Sequence, residues 1–172
     1  RRIHAALAAG SVTRAAAVLE QEPLLTWTPE LQTKLQALHP SEPEPPAAPE
    51  DAAVAAAVDR EQLTAVLSKL KRGKAAGPSG MTYEHVTAAV TGNAEAFDVL
   101  LELVNLMLSG SLPHCPRLTD CRLVSVAKPG GGVRPIAIGE VLLRIASLCA
   151  LAACPGTGGK LAPLQLGVGV SG

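Results

Sequence analysis

Apolar positions along the chain change their period, and the changes divide it into segments. Ile3, Leu7, Val18 and Leu19, followed by Leu24, Leu31, Leu35 and Leu38, suggest short helices broken at Gly10 and Pro23. Residues 1–38 therefore read as a helical accessory segment. The next stretch, HPSEPEPPAAPED over residues 39–51, holds five prolines and four acids and no large apolar side chain, which spells a solvated linker.

Beyond the linker the helical signals sharpen. Asp59 is placed to cap a helix over 60–72, with Gln62 at the reciprocal capping position, Val58 and Leu63 as a hydrophobic staple, and Gly73 as the stop. Its apolar stripe is Leu63, Val66, Leu67 and Leu70, and Lys69, Lys71 and Arg72 fall in its last turn, where the helix dipole favours cations. GKAAGPSG, residues 73–80, cannot continue a helix and predicts an ordered loop. Thr82 then caps a short helix ending near Gly92, and Asn93 caps another over 94–108 whose inward positions are Phe97, Leu100, Leu101, Val104 and Leu108.

At CRLVSVAK and VRPIAI the period falls to two. These β-branched runs flank Pro129, Gly130, Gly131 and Gly132, which predicts a β-hairpin at about 121–138. Pro135 cannot donate to a ladder, so the second strand belongs at an edge or stops pairing there. A simple four-residue turn would put Lys128 and Arg134 on opposite faces, and a five-residue or bulged turn would put them together; three glycines favour the irregular form. A last helix over 140–153 turns Leu142, Ile145, Leu148 and Cys149 inward, and glycine-rich coil follows. The fold class is α+β, mainly helical, with one hairpin.

Composition narrows the chemistry. The chain is 48% hydrophobic but only 2% aromatic, with Trp27, Tyr83 and Phe97 as its rings, so binding bases by stacking on aromatic platforms is excluded. Net charge is zero by cancellation: residues 1–19 sum to +3, 20–59 to −7, 60–74 to +4, 75–116 to −4 and 117–160 to +4. Each of the last two basic blocks adjoins a glycine turn, an arrangement suited either to a solvated face or to phosphate.

Other chemistries fail on spacing. Cys115, Cys121, Cys149 and Cys154 match no zinc pattern and read as buried or idle thiols, with His4, His39, His85 and His114 supplying no ligand set. PGTGGKL lacks the first glycine and the closing Ser or Thr of a Walker-type loop, and no nucleophile elbow is present. The apolar run over 145–153 is too short for a bilayer. The acid-free, Arg- and Ala-rich start resembles a transit peptide, but a chain opening on Arg1 reads as an excerpt, and targeting is discounted. The expected compartment is intracellular, with the nucleus plausible.

GKAAGPSGM, CRLVSVAKPGGGVRPIAIGEVLLRIASL and LQLGVGVSG stand in the order and at distances similar to those in reverse transcriptases of non-LTR retrotransposons. The resemblance covers residues 59–172, and the leading segment through LQALHP resembles the accessory region preceding such polymerases. It implies that residues 52–172 are a partial reverse transcriptase domain of fingers type. In the family, the hairpin folds over the incoming nucleotide, so Lys128 would neutralise the triphosphate and Arg134 would pack on the nucleotide while binding phosphate. Lys74, Gly77, Pro78 and Gly80, with Gln165 and Gly167, would lie near where template and primer enter. The implied partners are an RNA template, a DNA primer and a deoxynucleoside triphosphate, with Mg2+ serving the full family domain and no cofactor expected in this chain.

The chain departs from the family where the chemistry would begin. Polymerisation needs carboxylates that hold two metal ions, and those motifs lie beyond the glutamine-glycine segment. The only aspartates are Asp51, Asp59, Asp98 and Asp120, none in a Tyr-x-Asp-Asp or comparable context. No catalytic or metal-ligating residue is expected here. The alternatives are a non-catalytic nucleic-acid-binding module or an inert retroelement fragment.

Overall fold

The computed structural model describes residues 2–8, 10, 12–19, 24–38, 57–113, 115–128, 130–154 and 156. The linker over 39–51 lies outside them, as do Pro23, Gln165 and Gly167. In chain order the elements are α1 (Arg2–Ala8), α2 (Val12–Leu19), α3 (Pro29–Leu38), α4 (Arg60–Ser68), α5 (Tyr83–Val90), α6 (Ala94–Leu108), α7 (Pro116–Thr119), β1 (Cys121–Ala127), β2 (Val133–Gly139) and α8 (Val141–Ala153). The chain is thus α+β and mainly helical, with one antiparallel hairpin among the described residues. It divides into two units, Arg1–Pro45 with Leu123–Ala137, and Pro46–Arg122 with Ile138–Gly172.

The larger unit is a helical core whose elements begin where local chemistry satisfies their open amides. Asp59 accepts from the Gln62 amide at 2.8 Å while the Gln62 side chain accepts from the Asp59 amide at 2.9 Å, and Val58 and Leu63 are both buried as the staple requires. Thr82 accepts from the His85 amide, and His85 Nδ1 accepts in return from the Thr82 amide, so an imidazole fills the place a Glu or Gln usually takes. Asn93 accepts from the Ala96 amide at 3.0 Å and starts α6.

These helices bury Leu63 and Val66 of α4, Tyr83 and Val86 of α5, Leu100 and Val104 of α6, and Val141, Ile145, Ala146 and Cys149 of α8 in one cluster. Phe97, Leu101 and Leu108 pack against it from α6, as their spacing predicts. Fully burying a side chain such as Leu63 or Ile145 stabilises by about 1.5–3 kcal/mol. Asn105 clips the approach to α4: its side chain accepts from the Val58 amide at 2.7 Å and donates to the Val58 carbonyl at 3.0 Å. Arg60 pairs with Asp98 and stands over the Phe97 ring, 4.6 Å from its centroid.

Two sequence expectations need correction in this unit. The helix expected over 60–72 ends at Ser68, because the chain tightens to three-residue bonds, Lys69 to Val66 and Leu70 to Leu67. Lys71 and Arg72 consequently lie past the helix, and its dipole does not account for them. Leu148, expected inward, is 38% exposed, because the buried face of α8 runs through Val141, Ile145, Ala146 and Cys149. Of the four thiols only Cys149 is buried; Cys115, Cys121 and Cys154 are exposed.

In the smaller unit α1 and α2 pack together with Ala6 and Ala15 buried, small side chains that allow close approach, and α3 buries Leu31 and Leu35. Leu24 is not helical. It forms an antiparallel bridge with Val126, and the Leu25 amide donates to the Ser125 carbonyl at 2.9 Å, so the accessory segment adds a short extended rung beside β1. Within the described sheet β2 pairs with β1 alone, which places Pro135 on an edge strand, where its missing N–H costs no ladder bond.

Candidate functional site

The hairpin turn sets the relation between its two cations. The Lys128 amide donates to the Gly132 carbonyl at 2.8 Å, and the Gly131 amide donates to the Lys128 carbonyl at 3.1 Å. Gly130 and Gly131 take φ of +89° and +85°, which L side chains rarely adopt, so glycine is required at both. Three residues therefore separate the paired Lys128 and Gly132. Counted back along the strands, this register sets Ala127 against Val133 and Val126 against Arg134. Because side chains alternate faces, Lys128 and Arg134 share one face.

Both cations are exposed. The Lys128 stem lies beside Gly132, where an added Cβ would meet its Cβ and Cδ at 3.5 Å, an ordinary contact distance. A third cation lies nearby and was not singled out by the sequence, where it is merely the lone base of an acidic block. Lys34 of α3 lines, with Lys128, Gly131, Gly132 and Val133, a groove of about 470 Å³. No local signal could have placed it there, since the pairing depends on how α3 packs.

The second group of expected residues, Lys74, Gly77, Pro78 and Gly80, belongs to the larger unit and lies on a single loop fastened at four points. Arg144 donates to the Ala75 carbonyl at 2.9 Å and stacks over the Tyr83 ring at 4.6 Å. Gly77 is buried with its backbone against the end of β2: an added Cβ would sit 2.7 Å from the Gly139 carbonyl oxygen. Glu140 accepts from the Ser79 amide at 2.7 Å and from the Ser79 hydroxyl at 2.6 Å. A fourth tie holds the loop's beginning, where the Gly73 amide donates to Glu84.

Glu140 is only 7% exposed, and the Ser79 hydroxyl and amide hold its carboxyl below the usual range. The Gly73 amide does the same for Glu84. Between these ties the loop turns outward: Lys74, Pro78 and Gly80 are exposed, with Gly80 at φ +78°. Sequence reasoning missed Ser79, Glu140 and Arg144, because bonds spanning 61 and 69 residues leave no periodic trace.

Pro78, Ser79, Met81, Arg117, Asp120 and Glu140 line part of an open cleft of about 590 Å³. Asp59 caps α4, Asp98 pairs with Arg60, and Asp120 ends α7; Asp51 lies outside the described residues. Among the described residues no group of three or more His, Cys, Asp or Glu could hold a metal ion, and no helix is long and apolar enough to cross a membrane. Comparison with known proteins finds no matching family model, curated protein or solved structure.

Proposed function

We propose that the chain contributes nucleotide-clamping fingers to RNA-directed DNA synthesis, as a partial reverse transcriptase domain of the kind carried by non-LTR retrotransposons. The observation that carries the reading is the shared face of Lys128 and Arg134 beside a turn of glycines. At the turn Gly130, Gly131 and Gly132 carry no side chain to stand between a triphosphate and the lysine. Lys128 offers a compact charge that follows phosphate oxygens, while Arg134 offers a planar fork that binds oxygen at its edge and stacks on a base with its face. The partners on this reading are an RNA template, a DNA primer and a deoxynucleoside triphosphate.

Mg2+ belongs to the full family domain, where it stabilises charge on the reacting oxygens. The residues described here do not fit it: Asp59 and Asp98 serve structural bonds, and Asp120 has no acidic partner set around it. That engagement favours a second reading, a nucleic-acid-binding module without catalysis.

Equilibrium binding of a fluorescent deoxynucleoside triphosphate to the purified chain tests the clamp. Binding should weaken steeply with salt, and Arg134→Ala should cost more affinity than Lys128→Ala, since it removes both an oxygen contact and a stacking plane. Equal effects would leave a plain charged hairpin, and no binding by the unmodified chain would overturn the reading. Primer extension on RNA and DNA templates separates fingers from a complete enzyme: no extension is expected, and extension lost in Lys128→Ala would mean that the chemistry has been misplaced.

A further inference from the structure

The cations of the larger unit's basic block, Lys69, Lys71, Arg72 and Lys74, are all exposed, and they stand on or beside the loop that Glu140 and Arg144 fasten. A buried carboxylate that takes two short bonds from one serine, next to a glycine whose backbone meets a strand end, holds this loop in one shape. We propose that Glu140, together with Arg144, is a positioning residue: without touching the ligand, it keeps the Lys69–Lys74 ridge preorganised for a chain of phosphates. This rests on the nucleic-acid reading above and adds the residues that set its affinity.

The argument turns on a difference of sign. Taken only as a charge, Glu140 opposes a polyanion near the ridge, and removing it should strengthen binding. Taken as a fastener it does the reverse. Its loss frees the loop, and a ligand must then supply the ordering that the folded chain otherwise provides in advance. Ordering a loop does not change how many phosphates are finally neutralised, so the salt dependence should stay as it was while affinity falls. Losing a cation that touches phosphate should instead lower the slope of log K against log salt by about 0.7 for a single strand.

The test measures binding of a fluorescein-labelled oligouridylate to the full chain across a salt series at neutral pH. In Glu140→Ala, affinity should fall about fivefold or more with the slope unchanged, as expected for loss of charge-assisted bonds that order a loop. In Glu140→Gln, which keeps an acceptor for the Ser79 amide and can donate to its hydroxyl, most of the affinity should return. Lys74→Ala should lower both affinity and slope. Ser79→Ala removes the hydroxyl's bond to Glu140 and its bond from the Met81 amide while keeping the carboxylate and the Ser79 amide bond, so it should weaken binding about twofold and serves if Glu140→Ala does not fold. Equal or tighter binding by Glu140→Ala or by Ser79→Ala, with the unmodified chain binding normally, would overturn the positioning role and leave the nucleic-acid reading standing. No salt-sensitive binding by the unmodified chain would overturn that reading, and the positioning role with it.

Discussion

Replacing Gly77 with alanine places a methyl group 2.7 Å from the Gly139 carbonyl oxygen, 2.9 Å from its carbon and 3.0 Å from the Glu140 Cα. All three are backbone atoms, and none can swing aside as a side-chain end would. Ordinary contact is about 3.5–4.0 Å, so the loop must back away by roughly 1 Å. That movement stretches the Ser79 bonds to Glu140 from 2.7 and 2.6 Å toward the limit of hydrogen bonding. Overpacking costs about 1–3 kcal/mol, and weakening a bond to a charged group up to about 1.5–3 kcal/mol. Against this, alanine restricts the unfolded chain and returns about 0.4–1 kcal/mol.

A net loss of about 2–4 kcal/mol is expected, which in a domain of roughly 100 residues lowers the melting temperature by about 10 °C or more. Urea unfolding at neutral pH measures it. Gly80 is the internal control, since it has φ +78° with nothing within 4 Å of an added Cβ. Its constraint is torsional, so Gly80→Ala should cost about 1 kcal/mol and Gly80→Asn less, because asparagine tolerates the left-handed region. At Gly77, asparagine should be at least as harmful as alanine. A Gly77→Ala variant within about 0.5 kcal/mol of the unmodified chain, the range of neutral surface changes, would refute the close approach.

Ile145→Ala, at a wholly buried site, should lose about 2–5 kcal/mol in urea unfolding, while Leu148→Ala, only a few residues along α8, should lose far less. Asn105→Leu strands both the amide and the carbonyl of Val58, so thermal melting should fall by more than the sterically milder Asn105→Asp causes. The Glu140 pKa is lowered by folding, so its contribution is complete above the ordinary carboxylate value of 4.5 and disappears as pH falls through the lower folded value. The stability gap between the unmodified chain and Glu140→Gln should therefore narrow on acidification from pH 4.5 downward, and a gap that widens would contradict the Ser79 bond as its cause.

Local signals carried most of the secondary structure. Asp59 with Gln62, Thr82 and Asn93 announce helix starts within three residues of themselves, and Gly130–Gly132 announce the turn, because the physics involved is as short-ranged as the pattern. Helix α4 was overestimated because Leu70 continues the apolar stripe after the backbone has already tightened. Leu24 looked helical because an isolated bridge of a single residue has no period to detect. Lys128 and Arg134 were legible as a pair, while Ser79, Glu140, Arg144 and Lys34 were not. Their partners are chosen by tertiary packing, and a serine before a glycine or a glutamate before a helix looks ordinary in one dimension.

The glycine turn also works as a counter. With three residues still separating the paired positions, each residue removed between Lys128 and Gly132 slips β2 by one along β1 and carries Arg134, together with Ile136 and Ile138, to the opposite side of the ribbon. Removing two would bring it back. What the hairpin must preserve through mutation is therefore its register as well as its two positive-φ glycines: a single-codon deletion that shifts the pairing by one would separate the two cations while leaving every charge intact.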